Sequence, residues 1–397
     1  MRVQARWLQH SRATRGVAEP GRRDRPARAL PSALLGYLIA AALGVLLALF
    51  IVKETPAAVR GIQHAYDAHF APRPQLRSLS GALLYTVAHD EGADVLALPA
   101  GGGARSATNR DGVRSGAVVS PDGRQLLALY SPCPRCAPLY ELRDVASGAT
   151  RTIGSGPRRL DGGLSTPDAA FAPDGSRVAF VEAGADSPTP RVFILDQRDG
   201  ARRPLAPFDP RSQSFPVWSP DGHTVAYLSG VAETAVIAVN VATGDARALN
   251  DQLDHAADLG WSPDGRYLSL RRDGQIWLIE AASGHGFPLP VDDAVQAIGG
   301  WSPNGRALIA LVSEAATIGD PSEPTLSVVV APVGGGPAVV AQRGVAAVTP
   351  HWSPDGSEIA WVVGGESGWA ILRGAPTGGV GRKLAAGVGV VALNDWK

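Results

Sequence analysis

Catalytic signatures are missing from this sequence. It holds no G-x-S-x-G nucleophile elbow, no H-E-x-x-H helix, no phosphate-binding P-loop and no EF-hand loop. The nearest approach, GESGW around Ser367, has the wrong spacing and falls between two expected strands, so it reads as a turn. Charge is thin at 19% of residues, and there is one methionine in 397 residues, which argues against long charged helices. Glycine (47) and proline (32) are plentiful instead. That is the composition of short strands joined by tight turns, and closed all-β folds use about 200 residues or more as one unit. An all-β fold is the first expectation.

A formal net charge of zero conceals an asymmetry. Residues 1–31 carry eight arginines against Glu19 and Asp24, so the remainder is net acidic and offers no basic footprint for nucleic acid. Directly after this Arg-rich tail runs SALLGYLIAAALGVLLALFIV, residues 32–52, without one charge. At about 1.5 Å per residue such a helix matches a hydrocarbon core of about 30 Å. The run exceeds a signal-peptide core and no small-x-small cleavage site follows, which favours a retained transmembrane helix over a cleaved leader. Arginines crowd its N-terminal side while only Lys53 and Arg60 follow closely. The positive-inside rule then predicts a single-pass cell-membrane protein with a cytoplasmic N-terminus and an extracytoplasmic body. Orientation of the anchor accounts for the arginines, so no nucleic-acid partner is expected.

Residues 53–79 read as a juxtamembrane stalk: Val59, Ile62, Tyr66 and Phe70 fall near helical spacing, and Pro72 and Pro74 end the pattern. From residue 80 onward one phrase recurs. It appears as VVSPDGRQLLAL from Val118, AFAPDGSRVAFV from Ala170, VWSPDGHTVAYL from Val217, GWSPDGRYLSLR from Gly260, GWSPNGRALIAL from Gly300 and HWSPDGSEIAWV from His351. Its turn residues, Asp122, Asp174, Asp221, Asp264, Asn304 and Asp355, are 40 to 52 residues apart, near the period of a four-stranded propeller blade.

The spelling has a physical cause. Proline presets the second position of a type I turn, Ser and Asp side chains bond the turn backbone, and glycine takes the left-handed position that closes a hairpin. Trp218, Trp261, Trp301 and Trp352, with Phe171 and Val119 in the same place, precede the turn and offer apolar surface for packing between neighbouring sheets. The runs that follow are apolar on both faces, as expected of a strand sandwiched between two other sheets. One unit, ALLYTVAHDEGADVLALPAGGG from Ala82, supplies second, third and outer strands but no inner one; GVGVVALNDWK at the C-terminus supplies an inner strand ending at Trp396 with no hairpin after it. Joining the two gives a seven-bladed β-propeller over residues 80–397, with six or eight blades as alternatives. Such closure leaves no free sheet edge.

These repeats resemble the TolB-like, WD40-like propeller repeats known as PD40, and the resemblance covers roughly residues 80–397. It implies a β-propeller. Similar repeats build periplasmic TolB, which binds protein partners, and the propeller that gates prolyl-oligopeptidase-type peptidases.

The remaining candidates are local. Cys133 and Cys136 share the loop SPCPRCAP, for which a local disulfide, a redox-active pair and half a zinc site are the three readings; the disulfide is the default outside the cytoplasm. Two acidic clusters carry histidine: His89, Asp90, Glu91 and Asp94, and then Asp251, Asp254, His255 and Asp258. Asp161, Asp168, Asp292 and Asp293 fall in equivalent connections between blades. In a propeller these loop classes emerge on one face, so the acids are either a converging rim around the channel mouth or ordinary solvated loop residues. No metal set and no cofactor site is expected. The sequence therefore points to a noncatalytic scaffold in the cell envelope that binds a protein, peptide or glycan, with a propeller enzyme or metal-dependent ligand binder as the alternative.

Overall fold

Each Ser-Pro-Asp-Gly phrase folds as its side chains dictate. In a computed structural model of the protein, the turn at Ser219 has the Gly222 N–H donating to the Ser219 carbonyl at 2.9 Å, with Gly222 at φ 71°. Asp221 Oδ1 accepts from the Ser219 hydroxyl at 2.5 Å and from the His223 N–H at 2.9 Å, and Ser219 Oγ accepts the Thr224 N–H at 3.0 Å. The same serine-to-backbone bond recurs at Ser120, Ser262, Ser302 and Ser353. Where Ala172 replaces the serine, the Ser176 hydroxyl bonds Asp174 instead.

These bonds favour the ionised carboxyl. The Ser353 hydroxyl, the Ser357 N–H and the Ser357 hydroxyl together pull the Asp355 carboxyl down to about 2. Ser219 and then the His223 N–H lower Asp221, and Ser262 and then the Arg266 N–H lower Asp264. A folded-state value below the unfolded one gives stability that is present above about pH 4 and lost as pH falls through the folded value. The melting temperature is therefore expected to be flat near neutrality and to fall between about pH 4 and 2, with a shallower fall in Asp355→Asn. Equal slopes for the two proteins in a pH series of thermal melts would contradict this.

The structure describes residues 76–396 apart from 90–91, 101, 109–112, 133–135, 157–167, 185–186, 207–209, 232, 315–325 and 366–367. The charge-free run at 32–52, its Arg-rich tail and most of the stalk lie outside them. Among the described residues no helix is long and apolar enough to cross a membrane.

Among the same residues the strands form seven four-stranded antiparallel sheets, the blades of a propeller. Their inner strands are Val390–Trp396 in blade 1, Val113–Val119 in blade 2, Ala169–Phe171 in blade 3, Gln213–Trp218 in blade 4, Ala257–Trp261 in blade 5, Ala294–Trp301 in blade 6 and His351–Trp352 in blade 7. Consecutive inner strands touch in a closed cycle. The ring closes where the C-terminal strand pairs with Leu83–His89, Leu83 opposite Trp396. All-β architecture, blade number and closure agree with the reading of the repeats.

The core is divided among the seams between blades. Along Thr224–Ser229, Val225 and Tyr227 pack against blade 3 while Ala226 and Leu228 pack against blade 5. Alternate residues of one strand thus enter two different cores, which is why the run is apolar throughout. The pre-turn aromatics are the wedges: Trp218 joins the seam of blades 3 and 4, Trp301 that of 5 and 6, and Trp352 that of 6 and 7. Trp301 Nε1 donates to Ser269 Oγ of blade 5 at 2.9 Å, and Trp218 Nε1 donates to the Ala170 carbonyl of blade 3 at 3.1 Å.

A second circle runs along the turns. A Cβ placed on Gly175, Gly222, Gly265, Gly305 or Gly356 would lie 3.1–3.9 Å from the ring of the proline in the preceding blade's turn. Blade 1 has no such turn. Gly123 of blade 2 therefore meets Ser78 and Ser80 of the incoming chain, with the Leu79 N–H bonded to the Gly123 carbonyl at 2.8 Å, while Pro354 of blade 7 has no following glycine.

Candidate functional site

Antiparallel blades give the ring two faces. The Ser-Pro-Asp-Gly turns emerge on one, here the turn face; the second-to-third-strand loops and the connections between blades emerge on the other, the loop face. The described candidate acids belong to the loop face. Asp251 and Asp254 are exposed on the outer strand Ala246–Asp254, and Asp254 stands opposite Glu233 in register. Beside them His255 is exposed, at φ 53°.

Asp258 is differently employed. It sits at φ 57° in a bulge of its inner strand, where its Oδ2 accepts from Arg271 Nε at 2.9 Å and from the Ile298 N–H of blade 6 at 3.2 Å. An Asp tolerates this backbone region better than most residues, and its carboxylate satisfies a donor that the neighbouring bulge leaves unpaired. It fastens blade 5 to blade 6. Of the others, Asp292 is exposed, Asp293 and Asp94 are half-buried, and half-buried Asp168 offers its carbonyl to the Val181 N–H at 2.9 Å. The His89 side chain, Asp90, Glu91, Asp161 and Cys133 lie outside the described residues. Cys136 is disulfide-bonded, and Cys133 is the only other cysteine of the chain.

The acids described thus spread over several connections: Asp251, Asp254 and His255 lie between blades 4 and 5, whereas Asp258 bonds blade 6, which Asp292 and Asp293 lead into. Among the described residues no three His, Cys, Asp or Glu side chains come together as a metal-holding group.

On the turn face the inner-strand ends of blades 6, 7 and 1 and the turn of blade 2 surround a cavity of about 570 Å³. Trp301, Trp352 and Trp396 line it together with Pro121, Pro303 and Pro354; His351, Ser80 and Asp395 supply polar groups. Asp395 is half-buried, its Oδ2 accepting the Val119 N–H of blade 2 at 3.1 Å and its Oδ1 the Trp396 N–H at 2.9 Å. A smaller cavity of about 300 Å³ opens beside it between blades 7 and 1, over Leu83, Leu98 and Leu384 with the Glu358–Arg373 ion pair (3.2 Å) at its edge. Both lie where blade 1 lacks its turn. Reading the tryptophans as wedges alone misses this mouth, and the signal for it is the absent seventh Ser-Pro-Asp-Gly phrase. Aromatic walls around an anchored carboxylate can bind and orient a ligand.

No protein-family profile matches the chain. The uncharacterized peptidase YuxL of Bacillus subtilis is 34% identical over 111 residues, 26% of this chain and 17% of that protein, so the match spans about a sixth of the relative's length. An oligogalacturonate lyase in complex with manganese is similar in fold, with a TM-score of 0.55 at 13% identity over 77% of this chain and 84% of that one. TolB from Acinetobacter baumannii gives 0.47 at 15% identity, over 83% and 69% of the two chains. At these identities the structural likeness is one of fold, and the fold is a seven-bladed β-propeller.

Proposed function

We propose that the chain is a membrane-anchored, extracytoplasmic propeller that captures an envelope protein, peptide or glycan without transforming it. The observation that carries this reading is the concave mouth on the turn face, where tryptophan and proline side chains converge with the polar groups of Ser80, His351 and Asp395. Anchoring rests on residues 32–52, whose length and lack of charge suit one membrane span. A second reading, a propeller enzyme or metal-dependent binder working from the loop face, is favoured by the manganese-bound lyase of similar fold.

Crosslinking in intact cells separates the two. Ser80→Trp, which fills the turn-face mouth, is expected to reduce partner capture several-fold, whereas neutralising Asp251 and Asp254 together leaves it unchanged. Asp258 is kept intact because its loss would loosen a seam. The opposite pattern, or stoichiometric manganese in the purified chain, would favour the second reading.

A further inference from the structure

We infer that the turn-face mouth is a receptor for a cationic side chain, a guanidinium or ammonium group presented by the captured partner. This rests on the reading of the mouth as the capture site and names the chemistry that it selects.

The lining combines tryptophan and proline side chains with a few polar residues, and among the described residues that line it Asp395 is the only Asp, Glu, Lys or Arg. No ion pair among the described residues neutralises it, and the hydrogen bonds it accepts from them come from two backbone N–H groups. A carboxylate has about four lone-pair sites, so two remain for a donor from outside. Those two N–H bonds also hold the group in place, so little ordering is left for a ligand to impose. A cation brought there gains a charge-assisted hydrogen bond and the negative face of an indole ring, at about 0.5–2 kcal/mol for the latter.

A sugar is served less well. Recognising several hydroxyls takes a matching array of donors and acceptors, and here Ser353 Oγ is already committed to Asp355 (2.7 Å) and to the Glu358 N–H (2.9 Å). An anion would face the uncompensated carboxylate.

The mouth also owes its form to the closure of the ring. Five turns seat their glycine against the preceding proline; among the described residues no turn glycine follows Pro354, which with Trp396 lines the cavity. Cation capture is thus placed where the chain's C-terminal strand completes blade 1.

The test uses the full chain in detergent micelles and follows tryptophan fluorescence during titration. The probes are N-acetyl-arginine methylamide, its neutral isostere N-acetyl-citrulline methylamide, and methyl glucoside. Saturable binding of the arginine probe is expected, at least tenfold tighter than that of the citrulline probe. Asp395→Asn keeps an acceptor for the Val119 N–H and is expected to weaken arginine binding at least tenfold. Should that variant melt early, Ser80→Arg provides a second route, because it alters an exposed residue and places the chain's own guanidinium at the mouth. Loss of probe binding in Ser80→Arg at an unchanged melting temperature supports the inference. Equal affinity for arginine and citrulline, binding of the glucoside alone, or arginine binding that Ser80→Arg leaves intact would overturn it. If Ser80→Trp still reduces partner capture several-fold in cells, the capture reading survives that failure.

Discussion

Removing residues 388–397 is expected to abolish the cooperative unfolding transition of the propeller. These residues include the inner strand of blade 1, in which Val391, Leu393 and Asn394 are 6%, 3% and 4% exposed. Each large aliphatic group withdrawn from a core costs about 2–5 kcal/mol when cut back to alanine, and here the backbone goes as well. Two partners are orphaned in addition. Asn394 Nδ2 donates to the fully buried Thr86 Oγ1 at 2.7 Å, and Asp395 accepts the Val119 N–H across the seam to blade 2. Each buried polar group left unsatisfied costs about 1–3 kcal/mol. Together these losses reach the roughly 5–15 kcal/mol that holds a whole domain folded. Leu83–His89 would then present a bare edge to solvent, inviting association. Calorimetry of the truncated chain should show no sharp transition, and a synthetic peptide of residues 388–397 should restore it by strand addition. A cooperative melt within a few degrees of the full chain would show that the ring does not depend on its closing strand.

The closure is legible from sequence because each half of blade 1 is incomplete in a complementary way. Turns are legible for a stronger reason: the Ser, Asp and Gly of each phrase themselves make the bonds and adopt the dihedrals, so no distant residue has to be known. Bulges in the inner strands are another matter. The third residue before the wedge has positive φ at Gly116, Phe215 and Asp258, yet only the glycine announces it, because the other two are held by contacts with the next blade. Asp258 therefore looks like its acidic neighbours in the sequence and acts as a seam fastener in the fold. The turn-face mouth is hidden in the same way. Its walls come from blades 6, 7, 1 and 2, brought together only by closure, and its tryptophans already have a sufficient reason to exist as wedges.

That mouth also bounds the second large effect. Gly299→Val is expected to cost about 3 kcal/mol, the upper end for overpacking, because the obstruction is backbone. A Cβ on Gly299 would lie 2.1 Å from the Pro350 carbonyl oxygen of the chain entering blade 7 and 2.8 Å from Ile309 Cγ2 of its own blade. Ile309 is fully buried in the seam of blades 6 and 7, and Pro350 leads directly into the short strand His351–Trp352, so neither has room to retreat without parting the inner strands. Glycine is required here for close approach rather than for an unusual dihedral, since its φ is not in the left-handed range. At about 2–4 °C per kcal/mol the melting temperature should fall by roughly 6–12 °C. Gly334→Ala is the control: a Cβ there meets nothing within 4 Å, so its effect should stay within about 0.5 kcal/mol. Because Gly299 lines the mouth between Trp301 and His351, a spread seam should also weaken the arginine probe, whereas Gly334→Ala should not. A Gly299→Val chain that melts with the wild type would mean that blades 6 and 7 are not in backbone contact at the channel, and the walls of the mouth would have to be redrawn.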